Sequence, residues 1–283
     1  MKNVRMGPFT FIPAALAALA LCSVPAARAQ ASPDMAQGPP KYLYLNNVEL
    51  KPGHGGEFAK LENEEIEAMR TAKIHDLYFG MWSITGNTSR VLFFHGFESY
   101  ADLQKSHDDL MGNAALEAVM SKNNAAEGLL TVAHHGSIYS YQKDLSQNPP
   151  KSLEEMRFMR LILFHVRDGQ QEAFEHLVKV YKKAYEASLP EASWVIFQKM
   201  YGQGSGTTYL LATPLKSLGD VDTMAASGKT FADKTGPDLL AMVRAQGTTI
   251  IESEEANLYA FGTKISYVPD KWLTDSPDYW GKK

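Results

Sequence analysis

One histidine lies in a polar helical segment where its ring could carry a proton. His107 belongs to the run Ser106-His107-Asp108-Asp109. A histidine on a helix that faces a cavity can transfer protons near neutral pH, because an unperturbed imidazole titrates there. A surface histidine paired to the adjacent carboxylates would have no such role. The segment is compatible with both interpretations.

Polar side chains also lie within segments that have the composition of β-strands. Side chains alternate between the two faces of a strand, so Tyr44 and Asn46 share one face. The internal repeat described below places Arg160 on the corresponding face. A buried arginine needs a partner, which either an anionic ligand or an internal carboxylate or tyrosine would supply. We therefore predict that these three residues line a site, together with Trp82 of a neighbouring strand.

The other candidate ligands argue against a metal centre. His134 and His135 are adjacent, and adjacent strand residues point to opposite faces, so the two rings cannot easily share one metal ion. The chain has one cysteine, which excludes an intrachain disulfide and a thiolate zinc cluster. The acidic run Glu62–Glu67 is typical of a solvated helix face. No metal site is therefore predicted.

These residues belong to a chain that contains two copies of one unit. Three matches keep the same order at shifts of 116, 118 and 120 residues, namely Glu49–Leu61 with His165–Leu177, Phe97–Leu103 with Leu215–Val221, and Tyr139 with Tyr259. Gly53 and Phe58 of the first match meet Gly169 and Phe174. Because the order is kept and the shift drifts by only four residues, we infer an internal duplication.

Each copy has the strand and helix pattern of a βαββαβ unit. In the second copy one helical face is apolar over positions 174–185, so this helix covers a sheet on one side only. The predicted strands are Tyr42–Leu50, Leu77–Ile84, Arg90–His95, Ser137–Lys143, Arg157–Val166, Trp194–Tyr201, Thr207–Thr213 and Leu258–Lys264, and later helical stretches cover Tyr100–Asn123 and Leu218–Gln246. The fold class is α+β, with ferredoxin-like domains over residues 41–150 and 151–270 and a C-terminal tail over residues 271–283.

This pattern resembles the dimeric α+β barrel superfamily, with two ferredoxin-like units fused in tandem. The apolar strands need burial on both faces, so we expect the two sheets to face each other in an intrachain pseudo-dimeric α+β barrel. The first unit resembles domains of the antibiotic biosynthesis monooxygenase type over Phe97–His107. Phe97 stands where that family has an aromatic residue, often tryptophan, and His107 stands at its histidine position. Asn46 or Asn47 matches an asparagine of the haem-degrading branch.

The resemblance implies a small-molecule-binding protein with a pocket in the first unit. If the protein is an enzyme, it implies a monooxygenase-like oxidoreductase, specifically a cofactor-independent monooxygenase or isomerase in which His107 shuttles a proton. The predicted substrate-binding residues are Tyr44, Asn46, Trp82, Phe97 and Arg160. No cofactor is expected. Two alternatives stay open: a non-catalytic binding or stress-associated module, and a haem-binding tandem barrel with His165 as the iron ligand. A homo-oligomer is also compatible with the resemblance.

The first thirty residues have the pattern of an exported protein. Lys2 and Arg5 precede an apolar run over Phe9–Val24, and Ala27-Arg28-Ala29 presents small residues before a cleavage site. We predict a signal peptide over residues 1–29, a flexible leader over residues 30–40, and a periplasmic or secreted location.

Cleavage between Ala29 and Gln30 would also change the charge of the chain. It removes three basic residues and no acidic ones, so 28 basic and 32 acidic residues become 25 and 32, a net charge of −7. Cys22 is removed as well. This charge argues against a nucleic-acid partner, and no later stretch is apolar for long enough to span a membrane.

Overall fold

The computed structural model describes residues 38–74 and 76–281. The predicted signal peptide, residues 1–29, and residues 30–37 of the predicted leader lie outside the described residues. Export and the cleavage site therefore stay predictions. In the described part of the chain, every helix is too short or too polar to cross a bilayer.

Two successive sets of elements share the order β-α-β-β-α-α-β, and we call them the first half and the second half. The first half contains β1 (Tyr42–Leu50), α1 (Gly55–Thr71), β2 (Tyr78–Ser83), β3 (Arg90–Phe97), α2 (Tyr100–Met111), α3 (Ala114–Leu130) and β4 (Thr131–Tyr141). The second half contains β5 (Phe158–Val166), α4 (Gln171–Ser188), β6 (Val195–Tyr201), β7 (Thr207–Leu215), α5 (Gly219–Thr235), α6 (Pro237–Ile250) and β8 (Ile251–Phe261), and a short helix α7 (Asp270–Asp275) follows.

The second helical stretch of each half is broken into two helices. In the first half α2 ends at Gly112, and the side chain of Asn113 accepts a hydrogen bond from the backbone N–H of Leu116 to begin α3. In the second half Gly236 has a φ of 85°, which favours glycine, and Pro237 begins α6. The helical stretches predicted over Tyr100–Asn123 and Leu218–Gln246 are therefore helical, with one turn inside each.

The last strand of each half begins earlier than predicted, at Thr131 in β4 and at Ile251 in β8. These strand starts are polar, so they lack the apolar alternation that identifies a strand in a sequence. They are held by pairing, because β4 runs along β1 and β8 runs along β5 over their whole lengths.

The eight strands form one closed antiparallel barrel in the order β1-β3-β2-β8-β5-β7-β6-β4. Each half contributes four adjacent strands. The halves meet at two seams, where Met81 of β2 pairs with Phe261 of β8 and Tyr139 of β4 pairs with Lys199 of β6. The predicted fold, two tandem ferredoxin-like units in one pseudo-dimeric α+β barrel, is therefore confirmed.

Strand alternation divides the side chains between the barrel interior and an outer face covered by helices. Leu43 and Leu45 of β1 point into the barrel, where they join its apolar core. Tyr44 and Asn46 therefore lie on the outer face, beneath the helices of the first half. Arg160 occupies the position of Tyr44 in the second half, since Tyr44 pairs with Ile138 and Arg160 with Leu258, its repeat equivalent. The two residues lie on the outer faces of different halves.

The C-terminal segment closes one end of the barrel. Trp272 and Trp280 are buried in the interior core, and the ring of Trp272 stacks on Phe79 with ring centroids 5.5 Å apart. The indole N–H of Trp280 donates to the carbonyl of Glu154 at 2.8 Å, in the linker between the halves. The tail is therefore part of the fold of this chain.

Candidate functional site

A cavity of about 1020 Å³ lies on the outer face of the second half, between the sheet and helices α4, α5 and α6. We call it the second-half cavity. Its walls are mainly aromatic and aliphatic, and the residues that line it include Phe164, Phe174, Leu177, Val178, Tyr181, Tyr185, Trp194, Ile196 and Leu211. Its polar lining includes Arg160, Glu191, Thr213, Asp220, Thr223, Ser227 and Glu254. A cavity of this size and composition suits a small organic ligand.

An aromatic cluster supports the wall formed by α4 and α5. The ring of Tyr185 lies 5.2 Å from Trp194 in an edge-on contact and 4.1 Å from Phe231 in a stacked contact. Tyr181 packs 5.0 Å from Tyr185 and 5.1 Å from Phe231. Rings at these spacings attract one another, so the cluster packs α4 against α5 and against Trp194.

Arg160 is the cationic residue that lines this cavity. It is half-buried on β5, and within residues 38–74 and 76–281 it makes no ion pair with a carboxylate. Its charge acts on Tyr181, together with the charge of Arg244 on α6. A half-buried guanidinium without a counter-charge is costly, because water no longer solvates it fully. An anion in the cavity would supply that counter-charge.

The hydroxyl of Tyr181 lies beside that of Tyr185, with which it makes a side-chain hydrogen bond that a ligand could replace. Burial raises its pKa, and the neighbouring Tyr185 raises it further, whereas the charges of Arg160 and Arg244 act in the opposite direction. The phenol therefore stays protonated at neutral pH. A guanidinium and a phenol O–H near one another are both donors, which favours a ligand with oxygen acceptors.

Among the described residues, none of the three carboxylates that line the cavity forms an ion pair with Arg160, and Glu191 is exposed. Asp220 begins α5 and accepts hydrogen bonds from the backbone N–H groups of Lys216 and Ser217 at 2.7 and 3.1 Å. Glu254 is exposed on β8, four residues along the strand from the partner of Arg160, a separation of about 13 Å. Asp220 is therefore paired with backbone N–H groups, and Glu254 is solvated.

The outer face of the first half is packed by apolar side chains such as Phe58 and Phe93, with two groups of polar side chains among them. His95 of β3 and Asp76 before β2 form a buried pair, with Nε2 and Oδ1 2.7 Å apart. Burial by itself would raise the pKa of Asp76, but the contact with His95 and a hydrogen bond from Ser106 lower it below its ordinary value. This pair lies beside Tyr44, which is opposite His95 in the β1–β3 register.

A second polar group lies between α1 and α3, and we call Glu62, Glu65, Asn123 and Glu127 the α1–α3 cluster. Burial raises the pKa of Glu65 to about 8, and the charge of Glu127 adds to that effect. Burial raises the pKa of Glu127 to about 7, and burial also raises that of Glu62 well above its ordinary value. The prediction that Glu62–Glu67 forms a solvated face was therefore wrong for Glu62, which is buried.

The residues predicted to form the site are spread over both halves. Tyr44 and Asn46 share the outer face of β1, and the ring of Phe97 stacks on Tyr42 at 5.5 Å. Trp82 contacts Phe58 of α1 edge-on at 6.5 Å. Arg160 lies apart from them, in the second-half cavity.

His107 does not line the second-half cavity. Its Nδ1 atom lies 3.3 Å from Oδ1 of Asp108, and its side chain is 43% exposed. This placement matches the surface pairing with an adjacent carboxylate that the sequence allowed. Its proposed role in proton transfer stays a prediction.

Sequence reasoning missed Asp76, His95 and the α1–α3 cluster as candidate groups. Glu62 had a detectable signal, because it lies one helical turn from both Phe58 and Ile66 and so occupies a core position of α1. Asp76 and His95 had none, since they meet only when β2 and β3 pair.

The second-half cavity does not supply a histidine for haem. His165 follows Phe164 on β5, and alternation directs it to the barrel interior, away from the cavity that Phe164 lines. None of the residues that line the cavity in the described part of the chain is a histidine. The predicted alternative of a haem held by His165 therefore does not fit this cavity.

Comparisons with known proteins identify the fold. No protein-family model matches the sequence, and no curated protein matches it at a significant level. An anthrone oxidase-like protein superposes with a TM-score of 0.51 at 12% identity, covering 78% of this chain and 91% of that protein. A proposed monooxygenase from Lactobacillus acidophilus gives 0.48 at 10% identity, covering 78% and 93%. A mutant chlorite dismutase from Candidatus Nitrospira defluvii gives 0.44 at 10% identity, covering 82% and 94%. The superposition with the anthrone oxidase-like protein shows a shared α+β barrel fold.

Proposed function

We propose that this protein binds a small organic anion with an apolar, aromatic body in the second-half cavity. The observation that carries the proposal is Arg160, a half-buried guanidinium that lines an apolar cavity of about 1020 Å³ and has no carboxylate partner in the described residues. The aromatic walls would bury the body of the ligand. Arg160 and Tyr181 would hold its negatively charged oxygen atoms.

Two fluorescent probes that differ in charge test this proposal. 1-Anilinonaphthalene-8-sulfonate carries a sulfonate, and N-phenyl-1-naphthylamine has the same aromatic body without it. We expect the R160Q variant to bind the sulfonate probe about 10-fold or more weakly than the wild type, because a charged hydrogen bond is lost. Binding of the uncharged probe should change little.

The matched control is R167Q, which removes an exposed arginine at the end of β5. It should leave the binding of both probes unchanged. An equal loss of both probes in R160Q would mean that the cavity had collapsed, and unchanged binding of the sulfonate probe would refute the role of Arg160.

A cofactor-independent monooxygenase or isomerase is the second candidate function. Such an enzyme needs a base, a hydrogen bond that holds an enolate or phenolate, and a dry pocket. Arg160 and Tyr181 would meet the second requirement in the second-half cavity, and its apolar walls favour the third. His107, the predicted base, lies in the first half and does not line this cavity.

Oxygen consumption separates this candidate from simple binding. Anthrone reacts with oxygen to give anthraquinone and water, and it passes through an enolate that Arg160 would stabilise. An oxygenase should consume oxygen with anthrone faster in the wild type than in R160Q. Equal rates in the wild type, in R160Q and in buffer would leave ligand binding as the function.

Export is the part of the proposed function that the first residues of the chain support. Lys2 and Arg5, the apolar run Phe9–Val24 and the small residues before Gln30 favour a cleaved signal peptide and a periplasmic or secreted protein. Expression of the full chain in a bacterial host, followed by N-terminal sequencing, should give a chain that begins at Gln30. An uncleaved chain in the cytoplasm would contradict export.

A further inference from the structure

The α1–α3 cluster places oxygen acceptors from two helices close together in the first half. Glu62 and Glu65 lie on α1, and Asn123 and Glu127 lie one turn apart on α3. The carboxylates are close enough for their charges to act on one another, and Tyr78 of β2 donates to Oε2 of Glu62 at 3.5 Å. Three carboxylates and an amide therefore share one region between the helices.

Several buried oxygen atoms in this region have no hydrogen-bond partner among the described residues. They are Oε1 of Glu65, Oδ1 of Asn123 and Oε1 of Glu127, with Oδ1 of Asn46 on the sheet face that the helices cover. Asn123 is 0% exposed. Its amide nitrogen donates to the carbonyl of Leu61 at 3.0 Å. A hydrogen bond between the Asn123 side chain and Glu65 lowers the pKa of Glu65, so the amide lies within the cluster.

Buried acceptors without donors are rare in folded proteins, because each one loses its hydrogen bonds to water. When Glu65 and Glu127 are ionised, all four atoms are acceptors, so what they then need is a group that only donates. A cation meets that need and also offsets the mutual repulsion of the carboxylates.

The second half shows that these polar residues are not required by the fold. By the repeat, Tyr181 stands at the position of Glu65, while Val243 and Gly247 stand at the positions of Asn123 and Glu127 when α3 and α6 are aligned at their last residues. All three line the second-half cavity. The equivalent space thus has apolar walls in one half and acidic walls in the other.

Two kinds of cation differ in what they require. A divalent metal needs several ligand atoms at fixed distances, and no group of three histidine, cysteine or acidic side chains in the described residues has an arrangement that could hold one. An ammonium group carries three N–H donors that reach acceptors at ordinary hydrogen-bond distances. Among the described residues, the cluster therefore favours an ammonium group over a metal ion.

We infer that the first half binds the ammonium group of an organic amine between α1 and α3, with Glu65, Asn123 and Glu127 as its acceptors. Glu65 and Glu127 are only partly buried, which leaves a route from solvent. This site is separate from the second-half cavity and does not depend on the function proposed for it.

Thermal unfolding with n-butylammonium chloride tests the site, at a pH one unit above the pKa of Glu65 so that the carboxylates are ionised. Relative to equal concentrations of sodium chloride, butylammonium at ten times its Kd should raise the Tm of the wild type by about 3–5 °C. The E65Q and E127Q variants should lose this shift, and either one serves if the other does not fold.

E64Q is the matched control, because Glu64 is the adjacent exposed carboxylate and pairs with Lys122 at 3.0 Å. It removes the same charge and should keep the shift. Calorimetry at neutral pH in buffers of different ionisation enthalpy should also show net proton release on binding, since a bound cation lowers the pKa of its carboxyl partners.

Three outcomes would overturn the inference. In the first, butylammonium raises the Tm no more than sodium chloride does. In the second, it raises the Tm of E65Q, E127Q and the wild type equally. In the third, calcium or magnesium raises the Tm of the wild type and butylammonium does not. The fluorescent probe experiments on R160Q would be unaffected by any of them.

Discussion

Tyr44 and Arg160 occupy equivalent positions in the two halves of the barrel. Their surroundings differ in polarity. Each lies on the first strand of its half, with the repeat-related residues Ile138 and Leu258 as partners on the last strand. Tyr44 lies beside the buried His95–Asp76 pair, whereas Arg160 lines a cavity with apolar walls. The duplicated fold therefore carries two differently charged regions at equivalent positions.

The hydroxyl of Tyr181 should contribute to anion binding in the second-half cavity. The Y181F variant removes a neutral donor and keeps the ring, so the sulfonate probe should bind about 2–10-fold more weakly, a smaller loss than in R160Q. Fluorescence titration measures the change. Y201F, at an exposed tyrosine that does not line the cavity, is the control and should bind as the wild type does.

The α1–α3 cluster should make the protein less stable as the pH rises from about 5 to about 8. Glu65 and Glu127 have pKa values of about 8 and about 7 in the folded protein, above the ordinary value of 4.5. The folded state therefore holds protons that the unfolded state has released, and stability is lost as the pH rises through these values. Urea unfolding of the wild type should show this decline.

The E65Q variant should flatten that pH dependence, because a glutamine has no proton to lose. Its free energy of unfolding should exceed that of the wild type above pH 8 and approach it near pH 5. E64Q should keep most of the wild-type decline, because both buried carboxyls remain and the charge of Glu64 is the smallest contribution to the raised pKa of Glu65. A wild-type protein whose stability is constant over this range would show that the carboxylates are solvated.

The His95–Asp76 pair should stabilise the first half. Replacing Asp76 with asparagine leaves His95 buried without its partner charge and should lower the free energy of unfolding by about 3 kcal/mol near neutral pH. Because the pKa of Asp76 is lowered in the folded state, the stability it contributes is present above its unfolded pKa and is lost as the pH falls through the folded one.

A double-mutant cycle with D76N and H95N separates the interaction energy between the two side chains from the effect of each single substitution. Its coupling energy should be favourable at neutral pH. D108N, at the exposed carboxylate beside His107, should change stability by less than 0.5 kcal/mol in magnitude, as is usual at a surface position. A coupling energy of zero would mean that the two residues do not stabilise each other.

The C-terminal tail should be required for a stable barrel. Trp280 is buried against the interior core, so W280A should lower the free energy of unfolding by about 3–5 kcal/mol. W280F keeps most of the ring and loses the hydrogen bond to Glu154, and should lose about 1 kcal/mol. Urea unfolding distinguishes the two. Wild-type stability in W280A would contradict a closing role for the tail.

Much of the fold could be predicted from local patterns. The matches Phe58 with Phe174 and Tyr139 with Tyr259 revealed the duplication, and the apolar face over positions 174–185 identified a helix that covers a sheet. These signals are local, because alternation and helical periodicity are properties of consecutive residues. The polar starts of β4 and β8 could not be predicted, since only pairing with β1 and β5 makes them strands.

The candidate sites depended on which side chains the closed barrel brings together. Alternation correctly placed Tyr44 and Asn46 on one face, but it could not tell whether that face is inside the barrel or under the helices. The sequence identified Arg160 as a residue that needs a partner. It could not show that the second half contains a cavity beside it. A cavity forms where side chains from several elements fail to fill a space. The sequence of one segment therefore cannot predict it.

By itself, the sequence determined a duplicated α+β chain, the faces of its strands and helices, and a first segment with the pattern of an export signal. Only the tertiary structure decided that the second half forms a cavity that Arg160 lines, and that Glu62, Glu65 and Glu127 lie near Asn123 between two helices. Strand and helix periodicity depends on neighbouring residues, whereas burial, pKa shifts and unpaired oxygens depend on distant segments in contact. The candidate binding sites of this protein therefore depend on contacts that exist only in the folded barrel.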